Sequence, residues 1–137
     1  MMQIPVTSAG TLGTKHLVLI VEDDVDAREA YERFLSMSGF RTAVASDGRE
    51  ALRKIASLQP DLVVMDLAMP ALNGTEAIQA MRESKSTSRI PVLVLTAHGR
   101  DGSETVRTLD CEGFLLKPCP PSELLAEVNR VLERAGK

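Results

Sequence analysis

The segment that decides the fold is residues 62–74, which read LVVMDLAMPALNG. Its first four residues are apolar, and the run ends on an acid, Asp66. A short apolar run of this kind is typical of a strand that is buried on both faces, as in a parallel sheet. The loop that follows contains Pro and Gly and leads to apolar residues at helical spacing, Ala77, Ile78 and Met81. The segment therefore predicts a strand, a loop and a helix in succession.

The same alternation recurs along the rest of the chain. The predicted strands are residues 16–21, 42–45, 62–65, 90–95 and 114–116. Apolar residues at helical spacing predict helices around 27–35, 51–55, 77–81 and 124–132, and the polar segment 98–108 is expected to form one more. Parallel strands need crossover connections, so five alternations favour an α/β fold with helices on both faces of a parallel sheet.

Composition favours a single domain with an aliphatic core. A chain of 137 residues fits one domain, and 44% hydrophobic residues are enough to bury one core. Aromatic residues make up only 3%, so the core must be built from Leu, Val, Ile, Ala and Met. Residues 1–14 carry small polar residues, Gly and Pro without a sustained period, which predicts a flexible leader before a domain at 15–137.

Charge and cysteine content argue against several classes of function. The formal net charge of −3 provides no basic field, so direct binding of nucleic acid is not expected. No apolar run is long enough to span a bilayer, and the N-terminus lacks the pattern of a secretory signal. The chain has only two cysteines, Cys111 and Cys119, which are too few for a disulfide framework. No His or Cys lies at the spacing typical of metal ligands, so we expect free thiols in a reducing cytoplasm.

Chemically active side chains stand where four of the predicted strands end. Residues 22–24, Glu-Asp-Asp, follow the first strand, and Asp66 ends the third. Thr96 ends the fourth strand and Lys117 follows the fifth. Because the carboxyl ends of parallel strands meet at one edge of a sheet, we expect these side chains to converge there.

Such a cluster has a definite chemistry. Carboxylates packed together repel one another and must be protonated or neutralised by a cation. Oxygen ligands without His or Cys favour Mg²⁺. Together with the ammonium of Lys117 and the hydroxyl of Thr96, this set suits a phosphoryl group, and a carboxylate such as Asp66 can itself be the nucleophile that forms an aspartyl phosphate.

Each element also has a simpler explanation. An acidic triplet after a strand is often a solvated helix N-terminus, and an Asp at a strand end is often a turn former. A Lys before Pro is usually only exposed, and a Thr after a strand usually caps or turns. The functional interpretation depends on their joint placement, with one such group at each of four strand ends.

These residues carry a family resemblance. The chain resembles the receiver domains of two-component response regulators, from residue 16 to about 134. The likeness lies in residues 21–24 with Arg28, 63–74, 95–97 and 116–118. It implies a flavodoxin-like, doubly wound (βα)5 sandwich whose five-stranded parallel sheet has the order 2-1-3-4-5.

The resemblance implies a metal site and a phosphoacceptor. Asp66 matches the phosphoacceptor. Asp23 matches the direct Mg²⁺ ligand, and Glu22 matches an acid that acts on the ion largely through water. Asp66 and the backbone carbonyl of Ala68 would complete the protein ligands, while Asp24 is a third acid outside this set.

The resemblance also implies a phosphoryl-binding set and a switch. Thr96 and the amide of Ala97 would hold one phosphoryl oxygen, and Lys117 would pair with another. Phe114 matches the aromatic residue that turns inward when Thr96 moves. The Lys117–Pro118 bond matches a cis X-Pro bond of the family.

The function implied is that of a signalling module and not of an enzyme with a separate metabolite. A histidine kinase or a histidine phosphotransfer protein would phosphorylate Asp66, and the phosphorylated surface would bind a downstream protein or act on an effector domain outside this chain. Such a chain would be a monomer or a phosphorylation-dependent dimer. It could be a stand-alone regulator or a domain of a longer protein.

Three rival functions make different demands on the sequence. A Mg²⁺-dependent phosphatase that forms an aspartyl phosphate usually needs a second Asp two residues after the nucleophile, where this chain has Ala68. A flavin-binding electron carrier needs a phosphate-binding loop after the first strand, where the acids of residues 22–24 would repel phosphate. A receiver that has lost phosphorylation and serves as a scaffold would not need the full set of site residues.

Overall fold

The computed structural model describes residues 16–69, 72–97 and 109–137. The predicted leader, residues 1–14, and the predicted helix at 98–108 lie outside the described residues. Within the described ranges, no helix combines the length and apolar character that crossing a bilayer requires.

Strands and helices alternate along the described chain as the sequence predicts, except at the connection 98–108, which lies outside the described residues. The strands are β1 Leu17–Val21, β2 Arg41–Ala45, β3 Leu62–Asp66, β4 Val92–Thr96 and β5 Gly113–Leu116. The helices are α1 Val25–Met37, α2 Gly48–Leu58, α3 Gly74–Glu83 and α4 Pro121–Arg134. The prediction for the fourth strand began too early, because the amide of Ile90 donates to the carbonyl of Thr87 in a turn at 3.2 Å.

The five strands form one parallel sheet in the order β2-β1-β3-β4-β5, which confirms the predicted topology. The register aligns the carboxyl ends of the strands: Val21 pairs with Met65, Asp66 with Leu95, and Thr96 with Leu116. The residues that end or follow β1, β3, β4 and β5 therefore lie along one edge of the sheet.

The core lies on both faces of this sheet. Every residue of β3 and β4 is buried, as is all of β1 after Leu17, which fits central strands covered by helices on each side. Alternate residues enter two separate clusters. One cluster joins the sheet to α2 and α3, and the other joins it to α1 and α4.

Local signals fix where the helices begin and end. Asp24 caps α1 by accepting from the amide of Ala27 at 2.9 Å, and Gly39 follows that helix with a φ of 100°. Asn73 and Glu76 form a capping box at the start of α3. Pro121 occupies the first turn of α4, and the bond between Lys117 and Pro118 is cis, which confirms that implication of the resemblance.

Glu50 anchors the connection between β2 and α2. Its carboxylate accepts from the amide of Ser46 at 2.7 Å and from the Ser46 hydroxyl at 3.0 Å, and it pairs with Lys54 at 3.2 Å. The amide of Ser46 is the main reason why the pKa of Glu50 is lowered, with burial opposing it and Lys54 assisting. The ionised form of Glu50 is therefore the one that stabilises the fold.

This arrangement predicts an acid-sensitive contribution to stability. The pKa of Glu50 is lower in the folded state than in the unfolded state. Glu50 therefore contributes fully to folding stability at pH values above the ordinary glutamate pKa of about 4.3, and this contribution is lost as the pH falls through the pKa of the folded state. We expect Glu50→Gln to be less stable than the wild type at neutral pH. Urea unfolding at a series of pH values should show that difference shrinking below about pH 4. A difference that stays constant from pH 7 to pH 3 would contradict this assignment.

Candidate functional site

The candidate site is built from residues at the carboxyl edge of the sheet. Asp66 and Thr96 are the last residues of β3 and β4, Glu22 directly follows β1, and Lys117 directly follows β5. The amide of Glu22 donates to the carbonyl of Ala45 at 3.0 Å, and the amide of Lys117 donates to the carbonyl of Thr96 at 2.8 Å. The strand ladders thus continue into the site and hold its backbone in place.

Lys117 links the two buried carboxylates. Its Nζ lies 2.8 Å from Oε1 of Glu22 and 3.2 Å from Oδ2 of Asp66. Glu22 is completely buried and Asp66 is 2% exposed, so water screens neither acid well. Buried charges of this kind are tolerated only when they are paired, and the ammonium of Lys117 supplies that pairing.

The electrostatics of these groups are mutually dependent. Burial raises the pKa of Glu22, and the nearby Asp66 adds to this effect, while Lys117 and the amide of Asp24 oppose it. Burial alone would lower the pKa of Lys117, but contacts with Glu22 and Asp66 outweigh it and raise that pKa. Lys117 is therefore held in its charged form beside the two acids.

The described part of the chain brings three carboxylates within reach of one cation. Oxygen atoms of Glu22, Asp23 and Asp66 lie within 4.8 Å of one another. Two of these acids are buried and Asp23 is exposed, so the cluster opens to solvent on the Asp23 side. One ammonium faces three carboxylates, which leaves excess negative charge that a divalent cation would neutralise.

Glu22 supplies a specific test of whether a metal ion fits here. Its Oε1 contacts Lys117 as an ion pair, yet no donor among the described residues meets it in hydrogen-bond geometry. A buried oxygen with spare acceptor capacity suits a metal-bound water, and the all-oxygen donor set suits Mg²⁺. The residues present therefore fit a Mg²⁺ ion.

Backbone contacts orient the acids. The guanidinium of Arg28 donates to the backbone carbonyl of Glu22 at 3.0 Å. The amide of Asp24 donates to the side-chain Oε2 of Glu22 at 3.1 Å. The amide of Ala68 donates to Oδ1 of Asp66 at 3.2 Å. Sequence reasoning used Arg28 only as part of the resemblance, because no local pattern shows that its side chain returns to the backbone of Glu22.

Two glycines allow the loop after β3 to pack closely at the site. A Cβ atom on Gly74 would lie 2.3 Å from the carbonyl oxygen of Asp66, and one on Gly48 would lie 2.0 Å from the carbonyl oxygen of Leu72. Backbone atoms cannot yield as a flexible side chain can. The start of α3 can therefore approach the strand end that carries Asp66 only if residue 74 is glycine.

The residues of the predicted phosphoryl-binding set and switch differ in their exposure to solvent. Thr96 is buried at 4% exposure, Ala97 after it is exposed, and Phe114 on β5 is 45% exposed. Phe114 thus points away from the core, and an inward position would bury much more of its ring. Pro70 and Ala71, in the loop that follows Asp66 in the sequence, lie outside the described residues.

Comparison with known proteins identifies the family. The family model described as the response regulator receiver domain matches residues 18–129. The chain belongs to this family. Response regulator MprA of Mycolicibacterium vanbaalenii is 44% identical to this receiver domain over 120 residues, which are 85% of this chain and 50% of that protein. Transcriptional regulatory protein PrrA of Mycobacterium tuberculosis is 38% identical over 124 residues, or 90% of this chain and 52% of that protein.

Solved structures agree with this assignment. The chemotaxis response regulator CheY4 of Vibrio cholerae matches the receiver domain with a TM-score of 0.81 at 31% identity, covering 86% of this chain and 99% of that one. The signal receiver domain of a signal transduction histidine kinase from Syntrophus aciditrophicus matches with a TM-score of 0.80 at 28% identity, covering 87% and 91%. The receiver domain spans about half the length of the curated relatives it matches.

The close approach of Gly74 to Asp66 yields a stability prediction. Replacing Gly by Ala inside a helix ordinarily stabilises it by up to about 1 kcal/mol. At Gly74 we expect the opposite, a loss of about 2 kcal/mol of unfolding free energy, because the new methyl group overlaps a backbone carbonyl. Urea unfolding measures the change. The control is Glu83→Ala, an exposed site on the same helix, where the change should stay within about 0.5 kcal/mol. A Gly74→Ala variant as stable as the wild type would contradict this prediction, because it would show that the loop after β3 accommodates the methyl group without cost.

Proposed function

We propose that this receiver domain accepts a phosphoryl group on Asp66 from a histidine kinase or a histidine phosphotransfer protein. The observation that carries the proposal is the position of the Asp66 carboxylate, which ends a central strand, is nearly buried and lies 3.2 Å from the ammonium of Lys117. Family membership supports it, since receiver domains are signalling domains. The ammonium of Lys117, together with a cation that the neighbouring acids would hold, can balance the negative charge of an acyl phosphate.

In the proposed reaction, a carboxylate oxygen of Asp66 attacks phosphorus in line with the bond to the donor imidazole. The new O–P bond forms as the P–N bond breaks, and the imidazole nitrogen keeps the electron pair and takes up a proton. Lys117 then pairs with a phosphoryl oxygen, while the Thr96 hydroxyl and the Ala97 amide donate to another. Water later hydrolyses the acyl phosphate and restores the carboxylate.

The metal proposed for this site is Mg²⁺. Asp23 and Asp66, the carbonyl of Ala68, and Glu22 through water would hold it. When bound, it supplies positive charge that offsets the excess of carboxylates and the charge of the phosphoryl group. The three acids clustered in the structure and the spare acceptor capacity of Glu22 Oε1 support this donor set.

The phosphorylated state is proposed to act through protein contacts. Movement of Thr96 toward the phosphoryl group would open space for the exposed ring of Phe114 to turn inward, which changes the surface around β5. The output would be binding of a downstream protein or of an effector domain outside this chain, by a monomer or a phosphorylation-dependent dimer. We place this exchange in the cytoplasm, without direct nucleic-acid binding and without turnover of a separate metabolite.

The first test is whether Asp66 accepts phosphate. After incubation with Mg²⁺ and acetyl phosphate, we expect the intact mass of the wild type to increase by one phosphoryl group. Asp66→Asn should show no increase, because an amide cannot act as the nucleophile. Omission of Mg²⁺ should slow the reaction strongly.

A folded wild type that gains no mass from acetyl phosphate or from a histidine phosphodonor would favour a scaffold. Multiple-turnover hydrolysis of phosphomonoesters would favour the rival phosphatase.

The metal proposal distinguishes two neighbouring acids. Asp23 belongs to the carboxylate cluster, whereas Asp24 caps α1 through the amide of Ala27. We expect Asp23→Asn to weaken Mg²⁺ binding by about tenfold or more, since even changes beyond the direct ligands commonly cost about tenfold. Asp24→Asn is the matched control and should change the affinity by less than about threefold, because Asn also caps helices well. Isothermal titration calorimetry provides both values, and equal losses in the two variants would contradict the assignment.

A further inference from the structure

Tyr31 is a buried polar residue that the proposed reaction does not use. It lies on α1, is 6% exposed, and packs in the cluster that joins α1 and α4 to the sheet. Its hydroxyl donates to the backbone carbonyl of Cys119 at 3.0 Å, across 88 residues of sequence. Burial is the main reason why the pKa of Tyr31 is raised, so the hydroxyl stays protonated and remains a donor.

The acceptor of this hydrogen bond lies two residues after Lys117. On the other side, the amide of Lys117 donates to the carbonyl of Thr96 at 2.8 Å. The segment from Lys117 to Cys119 is therefore fastened at both of its ends, by the last contact of the sheet and by Tyr31. The segment then continues into α4 through Pro120, whose carbonyl accepts from the amides of Glu123 and Leu124 at 3.0 and 3.2 Å.

The same helix also holds the opposite side of the site. Arg28 lies three residues before Tyr31, so the two side chains share one face of α1. Arg28 donates to the carbonyl of Glu22, and Tyr31 donates to the carbonyl of Cys119. One helix face thus fixes the backbone of Glu22 and that of the segment carrying Lys117, whose side chains meet at 2.8 Å.

We propose that Tyr31 is a positioning residue for Lys117: its hydroxyl holds the Cys119 carbonyl and thereby keeps the Lys117 ammonium against Glu22 and Asp66. Without this bond, the segment after β5 loses its hydrogen bond to α1, and the long side chain of Lys117 samples positions away from the carboxylates more often. The consequence for phosphoryl transfer rests on the function proposed above, but the placement of Lys117 does not.

The experiment compares Tyr31→Phe with a matched variant elsewhere in the fold. Tyr31→Phe removes one buried hydroxyl and keeps the ring. Thr87→Val removes another buried hydroxyl, which donates to the carbonyl of Met81 at 2.8 Å in the connection that leads to the amino end of β4. Both variants lose one buried hydrogen bond to a carbonyl, so a general loss of stability affects both, whereas only Tyr31 contacts the segment that carries Lys117.

The main measurement is the rate at which each lysine amine is reductively methylated, quantified by peptide mass spectrometry on the intact chain without Mg²⁺. We expect Lys117 to react about threefold faster or more in Tyr31→Phe and at the wild-type rate in Thr87→Val. Lys54 is the internal reference, because it pairs with Glu50 on α2, which belongs to the other core cluster. Its methylation rate should not change. An unchanged rate at Lys117 in Tyr31→Phe would overturn the proposal. An equal rise at Lys54 and Lys117 would overturn it too, because it would report general loosening.

A second measurement connects the placement of Lys117 to function. We expect Tyr31→Phe to slow phosphorylation of Asp66 by about tenfold at saturating Mg²⁺, since small displacements of a catalytic group are costly, while the Mg²⁺ dissociation constant changes by less than about twofold. A loss of Mg²⁺ affinity as large as the loss of rate would show that Tyr31 does not act through Lys117. If the wild type accepts no phosphate, the proposed function fails, and the methylation rates still decide the role of Tyr31.

Discussion

The contact of one ammonium with two buried carboxylates is the interaction on which the rest of the site depends. Glu22 and Asp66 lie inside the protein because Glu22 directly follows, and Asp66 ends, an apolar strand that helices cover on both faces. Placing such acids out of water is unfavourable unless a positive charge lies close by, and Lys117 provides it at 2.8 and 3.2 Å. The register of the parallel sheet is what brings residues 95 positions apart, Glu22 and Lys117, to that distance.

The surrounding structure keeps this contact in place without filling the site. The ladders of the sheet fix the backbone of each strand end, and α1 adds contacts from Arg28 and Tyr31. The loop after β3 packs against Asp66 through Gly74, where a side chain would not fit. Meanwhile Asp23 stays exposed and Glu22 Oε1 keeps unused acceptor capacity. The backbone is thus hydrogen-bonded where the acids are held, and the cluster is open to solvent on the side of Asp23, where the proposed ion would bind.

Much of the fold and of the carboxylate cluster could be predicted from the sequence, because both follow from local patterns. Apolar runs located the strands, and the residues at their ends followed from the parallel order. The predicted start of β4 was wrong by two residues, because no sequence signal marks the turn in which the amide of Ile90 takes part. The roles of Tyr31, Arg28 and Gly74 in close packing could not be predicted. Each depends on a backbone group distant in the chain, which composition and spacing do not reveal.

Tyr31 has a further consequence for how the protein can be observed. The chain contains one tyrosine and no tryptophan, so its tyrosine fluorescence comes from a single ring. That ring is buried, and its hydroxyl is bound to the carbonyl two residues after Lys117. The unlabelled protein therefore carries an intrinsic optical probe beside its ion-pair cluster, and a change of emission reports on the junction between α1 and the segment after β5.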